Sequence, residues 1–231
     1  MSLNNFLYSG FQFSADEDLL KFKFKMLNSI FIIVAFFSAL FGLLSDLGVN
    51  DLGPVHSKVD YIYSTLTLGL IFYLRRSKEN YIMAAYLLLI ISLLTFTSAL
   101  IFVPHDEFRM IWFYLLIFAA YIINGQRLGL WSTIASIVII LTVNMFIDLN
   151  LSQTAINSGI LGLVIGSFFA YVYTNKITSY EKSLRKQNSS LSLLASTDYL
   201  TGIMNRRMFN EISEHYFQTA QKNQLHLTLL V

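Results

Sequence analysis

The stretch YIMAAYLLLIISLLTFTSALIF, Tyr81–Phe102, contains 22 residues and no charge. A helix of about 20 apolar residues can cross the hydrocarbon core of a bilayer. Over the whole chain 55% of residues are hydrophobic and 13% are charged, which is outside the range of soluble domains. Five similar runs flank this stretch: Met26–Leu44, Val59–Leu74, Met110–Ile123, Leu128–Ile147 and Thr154–Tyr173. The sequence therefore predicts an all-α membrane protein with six transmembrane helices.

Positive charges give the predicted orientation. The second run gains length if it extends back toward Pro54, and the fourth does so if it takes in Phe108 to Gly125 with Arg109 snorkelling to the interface. With six spans and an inside N-terminus, the inside segments carry eleven Lys and Arg residues, whereas the outside loops carry only Lys58 and Arg109. This bias alternates at every loop, so we predict that both termini are cytoplasmic.

The spans carry few residues that suggest chemistry. We expect no ionisable residue at mid-membrane depth, and Pro54 and Pro104 fall in outside loops, which disfavours a transporter or channel. An apolar ligand bound between helices remains compatible with the sequence. Trp112 and Trp131 are predicted to lie in the aromatic belts, and a net charge of +2 gives no indication of nucleic-acid binding.

Metal ligation is not predicted. The chain has no cysteine, and its four histidines lack ligand spacing, so we expect them in loops or on the surface. Three adjacent residues in an outside loop, His105, Asp106 and Glu107, rarely converge on one metal without a further ligand. The other histidines are His56, His215 and His226.

The N-terminal residues 1–25 are predicted to form a cytoplasmic segment before the six-helix region of residues 26–174. Met1–Phe13 lacks the basic start and cleavage site of a secretory signal, so we expect it to be retained. Ser14 and Glu17 have the spacing of a capping box, which allows a helix to start there and continue into the bilayer.

The sixth span carries a stripe of small residues and continues into a predicted stalk over residues 175–196. A continuous helix from Thr154 to Ser196 would be about 65 Å long. In the stalk a weak heptad pattern predicts a two-stranded coiled coil, although a solvated single helix is an alternative. The stripe comprises Ser158, Gly162, Gly166 and Ala170, and the heptad positions are Ile177, Tyr180, Leu184, Gln187, Leu191 and Leu194. The stripe suits packing within the chain about as well as a homodimer, and the stalk favours the homodimer slightly.

After the stalk comes TDYLTGIMNRRMF, Thr197–Phe209. Asp198 and Thr201 suit a turn that ends the stalk, Gly202 permits a positive φ, and Asn205 suits the N-cap of a new helix. We predict an amphipathic helix over residues 206–222 and a strand over residues 225–231. The apolar face of that helix comprises Phe209, Ile212, Tyr216 and Ala220.

This motif resembles the opening of the GGDEF domain, the catalytic module of diguanylate cyclases. The matching positions are Asp198, Leu200, Thr201, Gly202, Asn205, Arg206, Arg207 and Phe209, with Ile203 where leucine is usual. The resemblance implies that residues 197–231 are the N-terminal fragment of an α/β cyclase domain. It also implies that the metal-binding carboxylate, the guanine-contacting asparagine and the signature loop belong to positions after Val231.

The predicted function is the membrane sensory and dimerising part of a bacterial diguanylate cyclase, in the cytoplasmic membrane. We expect this 231-residue chain itself to be inactive, without catalytic, cofactor-binding or metal-binding residues. By resemblance, GTP and Mg²⁺ belong only to the complete dimeric protein, which joins two GTP into cyclic di-GMP. We expect residues 197–231 to be disordered or loosely docked. The alternative is a stand-alone six-span ligand-binding or interaction protein without enzymatic output.

Overall fold

The structure, a computed structural model, describes residues 3–14, 17–198, 201–226 and 228. In these residues eight α-helices form, and the only β-type pairing is a single isolated bridge. The helices are α1 Leu3–Leu7, α2 Asp18–Asp46, α3 Gly53–Leu74, α4 Asn80–Phe102, α5 Ile111–Asn124, α6 Gln126–Phe146, α7 Gln153–Ser196 and α8 Arg206–Lys222. The chain divides into two compact units, Met1–Asn175 and Lys176–Val231. We call them the first and second units.

All six apolar runs are helical, as predicted. Four helices are long and apolar enough to cross a membrane, namely α2, α4, α6 and the part of α7 up to Leu191. The chain therefore has the helices of a membrane protein. The other two differ for physical reasons: α3 carries His56, Lys58 and Asp60 in its first turns, and α5 has 14 residues, about 21 Å of helix.

The core of the first unit consists of two hydrophobic clusters. One joins α2, α3 and α4 around the fully buried Phe24, Leu27 and Leu74. The other joins α4, α5, α6 and α7 around Phe113 and Tyr121. Large side chains of one helix fill the spaces left by smaller side chains of its neighbours, which is how helix bundles reach close packing.

Polar contacts between helix ends define an alternating arrangement in the first unit. The Tyr61 hydroxyl, in the first half of α3, donates to the Asp46 carboxylate at the end of α2, at 2.7 Å. The Tyr81 hydroxyl at the start of α4 donates to the Ile123 carbonyl near the end of α5, at 2.9 Å. Successive helices therefore run in opposite directions, with their connections at alternate ends of the bundle.

Arg109 connects two loops at one end of this bundle. Its guanidinium donates to the carbonyls of Pro104, at 3.1 Å, and Asp106, at 2.6 Å, and also to the carbonyl of Leu149 before α7. The residue is fully buried. The sequence allowed the fourth span to lengthen if Arg109 snorkels to the interface; in the structure the guanidinium is buried against backbone carbonyls, and α5 begins at Ile111.

The N-terminal segment packs on the first unit instead of extending away from it. The buried Asn28 side chain donates to the Leu7 carbonyl and to the Ser9 hydroxyl, both at 2.9 Å. The Arg75 guanidinium lies over the Phe6 ring, 4.1 Å from its centroid. This docking could not be predicted from the sequence, since a single asparagine inside an apolar run has several possible partners.

The predicted Ser14 and Glu17 contact forms, although α2 begins at Asp18. The Ser14 backbone N–H donates to the Glu17 carboxylate at 3.0 Å, and the Lys78 ammonium lies 2.8 Å from the same carboxylate. The Lys78 ammonium and then the Ser14 N–H lower the pKa of Glu17 below its ordinary value. The start of α2 is thereby linked to the α3–α4 loop.

In the second unit the predicted helices are confirmed, with α7 continuous to Ser196 and α8 covering Arg206–Lys222. The heptad side chains are exposed: Ile177, Tyr180, Leu184, Gln187 and Leu191. The side chain of Leu194 lies outside the described residues, as do four residues of the predicted strand, Leu227 and Leu229 to Val231. Leu225, His226 and Thr228 are described, and they are not in a strand.

Candidate functional site: an interhelical cavity and the motif loop

A cavity of about 630 Å³ lies between α2, α3, α4 and α5 in the first unit. Most of its wall is apolar, with Val34 on α2, Leu88 on α4 and Leu116 on α5 as examples. Cavities of about 300–1,000 Å³ with apolar walls and a few polar groups are typical of small-molecule sites in proteins. Its size and lining therefore suit a small, largely apolar molecule.

The cavity opens sideways between α2 and α5. Ile33 and Phe37 on α2 and Leu115 on α5 line it, yet they are 55%, 48% and 54% exposed, respectively. Side chains that face both a cavity and the outer surface of a bundle mark an opening. In a bilayer such an opening would face lipid rather than water, so an apolar molecule can enter from the membrane.

One wall of the cavity is polar, and it belongs mainly to α3. His56, Asp60 and Tyr63 line the cavity and are all buried. They are four and three residues apart, so they share one face of the helix. The His56 Nε2 lies 3.6 Å from the Asp60 carboxylate, and the Tyr63 hydroxyl lies 2.5 Å from the Ser92 hydroxyl on α4.

Two predictions need correction here. His56 was expected in a loop or on the surface, but it is buried in the first turn of α3, with Nδ1 3.2 Å from the Ser98 hydroxyl. Asp60 is an ionisable group inside a helix, about 10 Å beyond the first residue of α3. The run that begins at Val59 left out His56, because α3 in fact begins at Gly53, where Pro54 takes an early helical position. Asp60 lies inside that run, and its apolar neighbours hid it.

Aromatic rings line the cavity beside this polar wall. Phe96 stacks on Trp112, with centroids 5.9 Å apart, and lies edge-on to Tyr63 at 6.1 Å. Phe41 of α2 meets Trp112 edge-on, also at 6.1 Å. Trp112 was predicted in an aromatic belt; it lies in the first turn of α5 and lines the cavity, whereas Trp131 is 60% exposed.

The stripe of small residues on α7 contacts α5 of the same chain at one position. The Tyr114 hydroxyl donates to the Gly159 carbonyl at 2.6 Å, and a Cβ atom at Gly162 would lie 2.2 Å from that hydroxyl oxygen. Gly166 has more space around it, since a Cβ atom added there would lie 3.9 Å from the Tyr114 ring. Ala170 is buried and Ser158 is exposed. The stripe therefore serves packing within the chain, at Gly162 above all.

The motif residues build a tight loop between α7 and α8. The Asp198 carboxylate accepts from the backbone N–H and the hydroxyl of Thr201, both at 3.0 Å. Gly202 has φ of 69°, and Thr197 forms an antiparallel bridge with Met204. The predicted turn role of Asp198 and Thr201 and the positive φ of Gly202 are confirmed. Tyr199 and Leu200 lie outside the described residues.

The remaining motif residues start α8. Asn205 is the N-cap, and its side chain accepts from the Met208 N–H at 2.9 Å, as predicted. Arg207 pairs with Glu211 at 3.1 Å, while Arg206 and Phe209 are exposed. Of the predicted apolar face only Ala220 is buried, with Ile212 partly covered and Tyr216 58% exposed.

His105 is exposed in the α4–α5 loop, as expected. Within the described ranges, no three His, Cys, Asp or Glu side chains are grouped so that they could hold a metal. Comparison with known proteins found no matching family model, no similar curated protein and no similar solved structure.

Proposed function

We propose that this chain is the sensory and dimerising portion of a membrane-bound bacterial diguanylate cyclase. The observation that carries the proposal is the direct connection of α7 to the motif loop. One helix with a strongly apolar first part ends at Ser196, and a GGDEF-like entry motif follows at once. Signalling proteins that join a membrane receptor to a catalytic domain need a connection of this kind.

Six transmembrane segments are part of the proposal. In the proposal the α4–α5 loop adds length to the short α5, and Val103, Arg109 and Met110 before that helix are buried in the protein. Irregular backbone is tolerated at membrane depth where protein satisfies its polar groups, and Arg109 does this for three carbonyls. In the first turns of α3, His56 and Asp60 face the cavity, whereas Lys58 is exposed.

The proposed location is the cytoplasmic membrane, with both termini inside. Because the chain has no cysteine, single cysteines can report its topology. Glu107→Cys in the α4–α5 loop and Arg127→Cys at the start of α6 form a matched pair of exposed positions on opposite sides of α5. A membrane-impermeant maleimide should label Glu107→Cys in intact cells and Arg127→Cys only after lysis. Labelling of both in intact cells would contradict the topology.

The proposed partner is a second copy of the chain, through the last span and the stalk. Ile177, Leu184 and Leu191 repeat every seven residues and are 39%, 57% and 62% exposed, which suits a coiled-coil seam awaiting its partner. We expect Leu184→Cys to crosslink between copies in membranes, and Lys182→Cys, on another side of α7, to crosslink less. Equal crosslinking would favour a solvated single helix.

Catalysis is assigned to the protein that extends past Val231. There, by the resemblance, Mg²⁺ and GTP would bind to a carboxylate and loop that follow the described helices, and two protomers would form cyclic di-GMP. The test is the next part of the reading frame and, if it encodes such residues, conversion of GTP by the full protein in membranes. A stop codon directly after Val231 in the native gene would overturn the cyclase proposal.

A stand-alone ligand-binding membrane protein is the second candidate. It is favoured by the cavity in the first unit, which needs nothing from the motif. Deleting the residues after Ser196 should leave its cellular effect intact, whereas a cyclase-linked sensor should lose its effect. The same deletion therefore separates the two candidates.

A further inference from the structure

We propose that the cavity between α2, α3, α4 and α5 binds a lipophilic cation, meaning a molecule with an apolar body and one protonated amine. The ammonium group would donate hydrogen bonds to the Asp60 carboxylate, and the body would fill the apolar part of the cavity. This deepens the proposed sensory function by naming a ligand class, and its test measures binding alone. Its failure would leave the cyclase connection standing.

Asp60 is the residue that points to a ligand. It is 6% exposed and lines the cavity. Its partner among the described side chains is an imidazole, with the His56 Nε2 3.6 Å from the carboxylate, beyond the length of a good hydrogen bond. A buried carboxylate is stable only when donors or opposite charge surround it. The cavity leaves room for a donor that comes with the ligand.

Charge selects a cation over an anion. The acidic side chains of the cavity wall are Asp60 and Asp106, His56 is its imidazole, Tyr63 is a neutral phenol, and among the described lining residues there is no lysine or arginine. Two carboxylates and one imidazole give a negative or neutral site, never a positive one. Arg109, the nearby buried cation, is held by backbone carbonyls and does not line the cavity. A site of this sign enriches cations and repels carboxylates and phosphates.

The rest of the cavity suits the body of such a molecule. Tyr63, Phe96 and Trp112 form a set of touching rings in its wall, and aromatic faces attract ammonium groups. The apolar volume accepts an alkyl or aryl body. The opening beside Ile33 and Leu115 lets a molecule that partitions into the bilayer reach the site without passing through water.

Trp112 makes the binding measurable. We would place the full chain with Trp131→Phe in nanodiscs, so that Trp112 is its only tryptophan, and titrate octylamine, octanol and octanoate. Octylamine should change the Trp112 fluorescence saturably, and octanol and octanoate should bind at least tenfold more weakly. Asp60→Asn should weaken octylamine binding at least tenfold. Equal binding of the three probes, or an unchanged Asp60→Asn, would overturn the proposal.

Two further variants distinguish the loss of the binding site from a loss of folding. Asp106→Asn at the outer part of the cavity should weaken binding less than Asp60→Asn does. Ala119→Phe keeps Asp60 and fills the cavity, so it should abolish saturation by octylamine while helical circular dichroism is retained. If Ala119→Phe binds octylamine as well as the parent does, the site lies elsewhere and the proposal fails. A tightly retained phospholipid found by native mass spectrometry, with no displacement by octylamine, would also overturn it.

Discussion

The first and second units differ in how they hold their helices. The first unit buries large side chains completely, among them Phe24, Phe113 and Tyr121. Arg109 also connects two of its loops through hydrogen bonds to backbone carbonyls. In the described part of the second unit, Ala220 alone is buried. Its helices are instead specified by the Asp198 turn, the Asn205 cap and helix propensity. Tertiary packing thus stabilises one unit, and local backbone chemistry the other.

The largest expected effect comes from Arg109. Arg109→Leu leaves the carbonyls of Pro104, Asp106 and Leu149 without their charged donor. Hydrogen bonds to charged groups contribute about 1.5–3 kcal/mol each, so we expect the loss of three to lower the free energy of unfolding by at least about 4 kcal/mol. Denaturant titration in detergent measures it. The matched control is Lys58→Leu, the other predicted outside cation, which is exposed and should change stability by less than about 0.5 kcal/mol. Equal losses would contradict the bridging role of Arg109.

Gly129 gives the next effect, again in the first unit. An added Cβ would lie 2.4 Å from the Tyr121 ring, near its attachment to the chain, where the ring cannot swing away. Overpacking of this kind typically costs about 1–3 kcal/mol, so Gly129→Ala should lower the unfolding temperature clearly. Gly69→Ala is the control, since nothing lies within 4 Å of its added Cβ. Alanine favours a helix more than glycine does, so Gly69→Ala should be neutral or stabilising, and a loss in both variants would contradict the Tyr121 clash as the cause.

A smaller and more local effect is expected in the second unit. Asn205→Ala removes the acceptor for the Met208 N–H, and loss of an N-cap costs about 1 kcal/mol. Because α8 has little burial, the cost should appear as faster amide exchange over the first turn of α8, with the first unit unchanged. Asn210→Ala, at an exposed position inside the same helix, should leave that exchange unaltered. Destabilisation that spreads into the first unit would break the distinction between the two units.

The smallest effect concerns pH at the N-terminal segment. Because the folded pKa of Glu17 is lowered, its contact with Lys78 stabilises the protein above the ordinary glutamate pKa of about 4.3. That contribution is lost as the pH falls through the lowered value. Both side chains are partly exposed, so the change should be slight and reduced by salt. The protection of the amides of residues 3–14, meaning their exchange relative to the intrinsic rate at each pH, should fall at acid pH, and Lys78→Met should remove that dependence.

Sequence periodicity predicted where helices occur, because hydrophobic runs and caps are local properties. The N-cap at Asn205 and the positive φ of Gly202 followed from single residues. The cavity could not be predicted this way, since it depends on which faces of four helices meet. One signal was present: His56, Asp60 and Tyr63 share a helical face once α3 is extended to Gly53. The contact of Gly162 with Tyr114 could not be predicted either, because Tyr114 lies 48 positions earlier in the chain.

The packing of Tyr114 against α7 constrains how that helix can move. Its hydroxyl lies against Gly159 and Gly162, and the next small residue on the same side is Gly166. These glycines form a shallow channel that runs along the helix axis. Turning α7 about its axis by one residue, roughly 100°, would bring a larger side chain such as Leu163 against the ring. Sliding along the channel meets only glycine, so the contact resists torsion more than it resists a piston stroke.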